Sequence, residues 1–210
     1  MLTATLIGDV VASRRASDRA DLHDRLTELL ATVNRTSAPS TPLRITIGDE
    51  FQGAFASVGQ ALRASLQLRL GLLPDHDVRH GLGWGEVSVL QDDPRVEDGP
   101  GWWAARDAIH EVQEAQEHAG SRFRRTVYTP AADAGGPDRD LVEAALLLRD
   151  AAVGGLSARS LSVLRGLLSG HTQREVADEL GISPSAVSQR VRSDGLAALV
   201  AADLALGRVS

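Results

Sequence analysis

Short apolar runs alternate with longer amphipathic segments over the first 150 residues of the chain. β-Branched and aromatic residues are concentrated in the runs, which predicts a strand at 3–12, a hairpin at 43–55 and strands at 78–90 and 122–128. Between the runs, apolar residues recur at helical spacing, which predicts helices at 19–34, 57–73, 102–118 and 138–153. The acidic stretch 92–101, with its Pro and Gly residues, is predicted to be an irregular loop.

The predicted hairpin has two adjacent carboxylates at its tip. Ile45 and Ile47 alternate with a threonine on one side of the Gly48-Asp49-Glu50 turn, and an apolar run continues on the other side. Two carboxylates at one turn repel each other, and a bound Mg²⁺ or Mn²⁺ ion would remove that cost. A solvated acidic turn is the alternative interpretation.

The order strand, helix, hairpin, helix, strand, helix, strand predicts an α+β fold, a ferredoxin-like or palm-type α/β sandwich. In this topology the end of the first strand lies beside the tip of the central hairpin. Asp9 ends the first strand, so we expect it to face Asp49 and to share a metal ion with it. Glu50 is a further candidate metal ligand. Alternatively, Asp9 pairs with arginines of the following loop, because a buried carboxylate needs a partner.

A second unit is predicted at 156–210, after a Gly154-Gly155 hinge that ends a first unit at 1–153. Within it, 171–195 has the pattern of a helix-turn-helix. Thr172 caps a short helix, Gly181 permits a left-handed turn, and Ser183 with Pro184 starts the next helix. The stretch resembles the helix-turn-helix of sigma-factor-type and LuxR-type proteins.

The second helix of this motif is expected to enter the DNA major groove. The residues expected to contact bases or phosphates from that helix are Ser185, Ser188, Gln189, Arg190 and Arg192, and those expected to contact the backbone from the first helix are Thr172, Gln173 and Arg174. Contact with another protein is the alternative use of the motif. The Ala/Leu-rich segment 196–206 is the predicted surface for homodimer pairing or for closing the small core.

Composition excludes several classes of chemistry. The chain has no cysteine, so it has neither disulfides nor thiolate metal sites, and every basic residue is arginine, which excludes Schiff-base lysines and lysine-dependent phosphate loops. The net charge of −6 lies almost entirely in residues 1–150. No usual signal peptide or membrane-spanning run is present, so we expect a cytoplasmic protein with no membrane partner.

Four segments carry a resemblance to known families: TLIGDVVASR, TIGDEFQGAF, VRHGLGWGEV and DGPGWWAARDAI, in that order. Together they resemble the SatD family of bacterial proteins, and each also resembles segments of nucleotide-cyclase and GGDEF-type palm domains. Those domains convert nucleoside triphosphates with two metal ions, and the resemblance implies that Asp9 and Asp49 hold the metals. Arg106 matches the arginine that stabilises charge on the transferring phosphate.

The resemblance to cyclases departs from the pattern at two positions. Trp102 stands where the neighbouring asparagine is expected, and Ile45 stands where adenine-selecting cyclases place a lysine. Each missing donor counts against turnover, since one preorganised donor in such a site can be worth roughly a hundredfold in rate.

A triphosphate bound in such a palm needs donors as well as metal. The backbone amides of the loop from Val10 to Ser13 are expected to supply some of them, and Arg14, Arg15 and Arg106 are the candidate cations. Trp102 is a candidate for stacking on the base, whereas Trp103 is expected to pack in the core.

Three hypotheses follow from the sequence. The first is a DNA-binding regulator in which a palm domain binds a nucleotide together with a metal ion. Ligand binding would alter the arrangement of the DNA-binding domains across a dimer. The second is a metal-dependent nucleotidyl cyclase or related nucleotide transferase that carries a helix-turn-helix. The third is a scaffold whose acidic residues are structural.

Overall fold

The computed structural model of the chain describes residues 1–13 and 19–210. The strands are β1 Leu2–Val10, β2 Thr41–Ile47, β3 Glu50–Phe55, β4 Val78–Glu86, β5 Ser88–Asp92, β6 Arg95–Asp98 and β7 Thr126–Pro130. The helices are α1 Arg19–Ser37, α2 Val58–Leu72, α3 Pro100–Glu117, α4 Arg139–Gly154, α5 Ala158–Leu168, α6 Gln173–Leu180, α7 Pro184–Ser193 and α8 Leu196–Leu206. The sequence also predicts that Ser17 and Asp18 cap α1, and both lie outside the described residues.

The main sheet has five strands in the order β2-β3-β1-β4-β7. Strand β1 is central and antiparallel to both of its neighbours, while β7 pairs in parallel with β4 at one edge. The order β2-β3-β1-β4 is the ferredoxin-like order, so the predicted α+β class is confirmed, and the parallel β7 makes the sheet a mixed one.

Residues of β1 alternate between two helical layers. Leu6 lies in the main core with Phe51, Phe55 and Leu82, and this core is covered by α1, α2 and α4. Ile7 faces the opposite way, and packs with residues of α3. The sheet is therefore covered on both faces, because period-2 alternation in β1 supplies an apolar residue to each layer.

Helix α3 approaches the backbone of β4 closely. Gly81, Gly83 and Gly85 lie on one face of β4 at alternate positions, and a Cβ atom built on Gly83 would lie 2.1 Å from the carbonyl oxygen of Gly101. Thr5 Oγ1 in β1 donates to the same carbonyl at 2.7 Å. The glycines let the two backbones meet with no side chain between them.

The stretch 92–101 is not an irregular loop, so this prediction was wrong. Strands β5 and β6 pair as an antiparallel hairpin, and α3 already begins at Pro100. The hairpin was missed because all of β5 is exposed and carries no hydrophobic alternation. Side-chain contacts hold it against β2, where Thr41 Oγ1 donates to Glu97 at 2.7 Å and Arg44 donates to the carbonyl of Arg95 at 3.1 Å.

The four C-terminal helices pack on α2 and α4. Their core contains Leu161, Leu164 and Val187 together with Leu66 of α2 and Val153 of α4. Arg165 of α5 donates to the carbonyl oxygens of Leu70 and Leu73 at the end of α2. The predicted division at Gly154-Gly155 stays a prediction. Among the described residues, no helix combines the length and apolar character needed to span a bilayer.

We predict that Gly83→Ala destabilises the protein by about 2 kcal/mol, the range expected when a methyl group is forced into a packed contact. The measurement is the urea concentration at half-unfolding. Gly120→Ala is the matched control, since a Cβ there meets nothing within 4 Å. Equal midpoints for the two variants would contradict the close approach of α3 to β4.

Candidate functional site

Strand alternation places three charged side chains on the α3 face of the sheet. Asp9 follows Ile7 on that face of β1, and its register partner in β4 is Arg79. The last β1–β3 pair is Gly8 with Phe51, so Glu50 stands one position beyond it, beside Asp9. The hairpin turn then brings Asp49 to the end of β1. The predicted proximity of Asp9 and Asp49 is therefore present in the structure.

An open cleft of about 860 Å³ lies at the C-terminal end of β1, beside the turn between β2 and β3. Three of its lining residues are acidic and four carry guanidinium or amide groups: Asp9, Asp49, Glu50, Arg79, Arg122, Gln113 and Gln116. The loop and hairpin complete the wall: Val10, Ala12, Ser13 and Ile47. The predicted candidates Asp9, Asp49, Glu50, Val10 and Ser13 thus share one cleft. Ile47, expected on the core face, is 81% exposed at the hairpin tip.

Asp9 is paired with Arg79. The Nε and Nη2 atoms of Arg79 donate to the two carboxylate oxygens at 2.7 and 2.8 Å, and Gln113 Nε2 donates to Oδ2 at 3.2 Å. Burial raises the pKa of Asp9 above its ordinary value, and the charge of Asp49 adds to that rise, while the bonds from Arg79 and Gln113 oppose it. Arg14 and Arg15, the partners of Asp9 in the alternative interpretation of the sequence, lie outside the described residues.

Two backbone amides, one at the end of β1 and one at the start of the following loop, already donate hydrogen bonds within the protein. Val10 N donates to Asp49 Oδ2 at 3.0 Å, and Val11 N donates to the carbonyl oxygen of Asp77 at 2.8 Å. The sequence predicts that these amides donate to phosphate. In the structure they donate to acceptors within the protein instead. Ser13 is buried at the cleft wall.

Glu50 and Arg106 form a bidentate ion pair. Nη1 and Nη2 of Arg106 donate to the two oxygens of Glu50 at 2.7 and 2.9 Å. The hydrogen bonds from Arg106 lower the pKa of Glu50, against the effect of its partial burial. Arg106 is thus held beside the cleft by Glu50. The carboxylate of Glu50, a predicted metal ligand, is paired with this guanidinium.

The two tryptophans exchange their expected places. Trp102 is only 8% exposed and packs with Ile7, Ala54 and Ile109, so it lines no part of the cleft. Trp103 is 59% exposed, and its Nε1 donates to Asp98 at 2.8 Å. The expectation of a buried Trp103 was wrong, and the position of Trp102 does not favour stacking on a base in this cleft.

The donor set of the cleft fits Mg²⁺ or Mn²⁺ held jointly with phosphate oxygens. Asp9 and Asp49 offer hard carboxylate oxygens, and Mg²⁺ is commonly bound through one or two carboxylates plus substrate phosphates. Across residues 1–13 and 19–210, no group of three or more His, Cys, Asp or Glu side chains is arranged to hold a metal ion. The described side chains of the cleft therefore do not enclose a cation by themselves.

Sequence reasoning missed four of the polar lining residues: Arg79, Arg122, Gln113 and Gln116. Arg79 could have been found, because it continues the alternate positions of Gly81 and Gly83 onto the same face of β4. Gln113 and Gln116 stand three residues apart on α3, the spacing of one helical face. We find no sequence signal that singles out Arg122.

The SatD family model matches residues 3–203. The chain belongs to the SatD family. No curated protein matches the SatD chain in sequence.

Several solved nucleotide cyclases resemble the SatD chain in structure. A bacterial light-regulated adenylyl cyclase superposes with a TM-score of 0.47 at 13% identity, covering 61% of this chain and 43% of that chain. The guanylyl cyclase domain of RhoGC from the aquatic fungus Blastocladiella emersonii gives 0.44 at 14% identity, with 52% and 74% covered. An adenylate/guanylate cyclase/hydrolase from Silicibacter pomeroyi gives 0.41 at 21% identity, with 51% and 68% covered. This chain thus spans less than half of the light-regulated cyclase. Because all three TM-scores are below 0.5, the fold class is assigned from the strand order of the sheet and not from these superpositions.

The residues predicted to contact DNA lie on α6, on α7 and at the cap before α6. Thr172, Gln173, Arg174, Ser185, Gln189 and Arg192 are exposed, and Ser188 is half-buried. Arg190 differs from its neighbours, because its Nη1 lies 3.4 Å from Ser160 Oγ of α5 and its Nε is buried. Arg190 therefore points toward the helical core of the SatD chain rather than outward.

We predict that Glu50→Gln lowers the free energy of unfolding by less than about 1 kcal/mol at pH 7, because the pair with Arg106 is partly exposed and screened by solvent. Since the folded-state pKa of Glu50 is lowered, the wild-type advantage is present above the ordinary value of 4.5 and is lost as pH falls through the lowered pKa. Urea unfolding of both proteins across this range measures it. Glu28→Gln on α1, outside the cleft, is the control. An advantage that grows toward low pH would contradict the assigned pair.

Proposed function

We propose that this chain binds a nucleoside triphosphate together with Mg²⁺ or Mn²⁺ in the cleft, and acts on it as a nucleotidyl cyclase or related nucleotide transferase. The observation that carries the proposal is the meeting of Asp9 and Asp49 in one open cleft at the end of the central strand. A divalent ion bound there would neutralise the two carboxylates and polarise phosphate oxygens.

The remaining lining groups suit the rest of a triphosphate. Arg79 and Arg122 line the same cleft and bring positive charge to it. Arginine recognises phosphate well because its planar guanidinium offers two parallel donors. Arg106 stands at the edge of the cleft through its pair with Glu50 and is our candidate for stabilising charge on the transferring phosphate.

Substitution of Asp9 or Asp49 tests the proposed site. In the wild type, a triphosphate with Mg²⁺ at about a hundred times its Kd should raise the melting temperature by roughly 5 °C or more. Asp9→Asn and Asp49→Asn should each abolish the metal-dependent part of this rise in melting temperature. Differential scanning calorimetry with each of the four ribonucleoside triphosphates, with and without Mg²⁺, measures it.

Product analysis by mass spectrometry on the same samples separates turnover from binding. Asp107→Asn is the matched control, because Asp107 is exposed on α3 and does not line the cleft. A cyclic or oligomeric product lost in both cleft variants would support the enzyme. A rise that survives both substitutions would refute the site, and binding without any product would refute turnover and leave a sensor domain.

A second candidate function, DNA binding, is favoured by the geometry of α6 and α7. Thr172 and Glu175 form a reciprocal capping box, Gly181 adopts a left-handed conformation with φ of 63°, and Ser183 caps α7. These features match a helix-turn-helix, with Ser185, Ser188, Gln189 and Arg192 as the proposed groove contacts. Thr172, Gln173 and Arg174 are the proposed backbone contacts. A homodimer would double these contacts and place two such motifs on one duplex.

If this second candidate holds, Arg192→Ala and Arg174→Ala should each weaken binding to a short duplex. Each should also reduce the slope of log K against log salt by about one, because each arginine releases roughly one counterion. Fluorescence anisotropy across a salt series measures both effects. Arg208→Ala, at an exposed site outside the two helices, should leave both unchanged. Wild-type protein that shows no binding even at low salt would exclude the DNA-binding role.

A further inference from the structure

Arg79 donates to both carboxylate oxygens of Asp9. The pair is bidentate, with distances of 2.7 and 2.8 Å, and the two side chains are only 19% and 17% exposed. Gln113 donates a third hydrogen bond to Asp9 Oδ2. The charge of the carboxylate is therefore compensated by Arg79, and three of its roughly four acceptor sites are used by the protein's own side chains.

This pairing conflicts with cation binding at Asp9. The oxygens that accept from Arg79 are the oxygens that a divalent ion would coordinate, and a guanidinium beside that ion would be repelled by it. Asp49 differs from Asp9: among residues 1–13 and 19–210, the hydrogen bond found for it is one that it accepts from the backbone amide of Val10, which brings no competing charge. A cation bound at Asp9 would therefore compete with Arg79 for the carboxylate oxygens.

Arg79 has a further partner besides Asp9, on helix α3. Its Nη1 is within 3.5 Å of Gln116 Oε1, a contact on α3 that does not involve Asp9. Arg79 itself lines the cleft, where the phosphates of the proposed ligand would lie. A guanidinium released from a carboxylate can form the same bidentate geometry with a phosphate.

We propose that Arg79 exchanges its partner: it pairs with Asp9 in the free protein, and it turns to the phosphate oxygens when Asp9 takes the cation. This inference rests on the proposed function and specifies how the site is regulated. Its consequence is that the cation alone binds weakly, because it must displace Arg79 with no new partner for the guanidinium. The cation and the triphosphate together bind well, since the phosphate then receives Arg79.

Substitution of Arg79 should therefore have opposite effects on the two ligands. In Arg79→Ala, Mn²⁺ alone should bind about tenfold more tightly, because a competing charge-assisted hydrogen-bonded pair is removed. The same variant should bind a Mn²⁺–nucleoside triphosphate complex about tenfold more weakly. Calorimetric titration with Mn²⁺ alone, and then with the triphosphate at saturating Mn²⁺, measures both affinities near pH 7.5.

Two further variants complete the design. Arg122→Ala removes a cleft arginine that is not bonded to Asp9, so it should weaken triphosphate binding without tightening Mn²⁺. Arg79→Lys keeps the positive charge but not the bidentate fork, so its Mn²⁺ affinity should lie between those of wild type and Arg79→Ala. Circular dichroism confirms that each variant is folded.

The outcomes distinguish this inference from the proposed function. If wild type binds triphosphate with Mn²⁺ but Arg79→Ala weakens both ligands or leaves Mn²⁺ affinity unchanged, Arg79 is a structural partner of Asp9 and the exchange is refuted alone. If Arg79→Ala unfolds, the same reading is taken from Arg79→Lys. If wild type binds neither Mn²⁺ nor triphosphate, the proposed function and the exchange fall together.

Discussion

The contact between α3 and the backbone of β4 is the constraint on which the cleft depends. With glycine at positions 81, 83 and 85, the helix lies directly on the strand, and Thr5 ties β1 to the same point through the carbonyl of Gly101. The axis of α3 is thereby fixed relative to both strands. Three polar residues of α3 therefore lie beside the C-terminal end of β1 and the turn between β2 and β3: Arg106, Gln113 and Gln116. A larger residue in β4 would lift the helix and move all three together.

Charge pairing organises the rest of this edge. Asp9 with Arg79 and Glu50 with Arg106 compensate the carboxylates on the α3 face. A second network lies at the same end of the sheet, where Asp77 accepts from Arg69 and Arg125, and Arg69 also reaches Asp150. The carbonyl of Asp77 accepts from Val11, so the loop after β1 is anchored to buried charges. Burial favours neutral Asp9 and the guanidinium beside it favours the ionised form, and burial has the larger effect, so the pKa of Asp9 is raised.

The sequence was informative where a period was clear. Alternation in β1 and the hairpin gave the strands, and the order of elements was enough to bring Asp9 to Asp49. Helix phase could also have separated the tryptophans, since Trp102 is in step with Ala105 and Ile109 whereas Trp103 is not. Other features had no local signal. The β5–β6 hairpin is exposed throughout and is held by contacts with a strand more than forty residues away. The use of Arg79 as the partner of Asp9 follows from strand register, which alternation alone does not fix.

The core shared by α2, α4 and the last four helices has a consequence for folding. Leu66 and Leu70 of α2 face the C-terminal helices, while Leu62 and Leu68 of the same helix face the sheet. One helix therefore belongs to two cores, and it cannot lose either without exposing apolar surface on its other side. The backbone bond from Gly59 N to Val209 O links the start of α2 to the last residues of the chain. The packing thus extends across the predicted boundary at Gly154-Gly155, and we expect the segments on either side of it to unfold in a single cooperative transition.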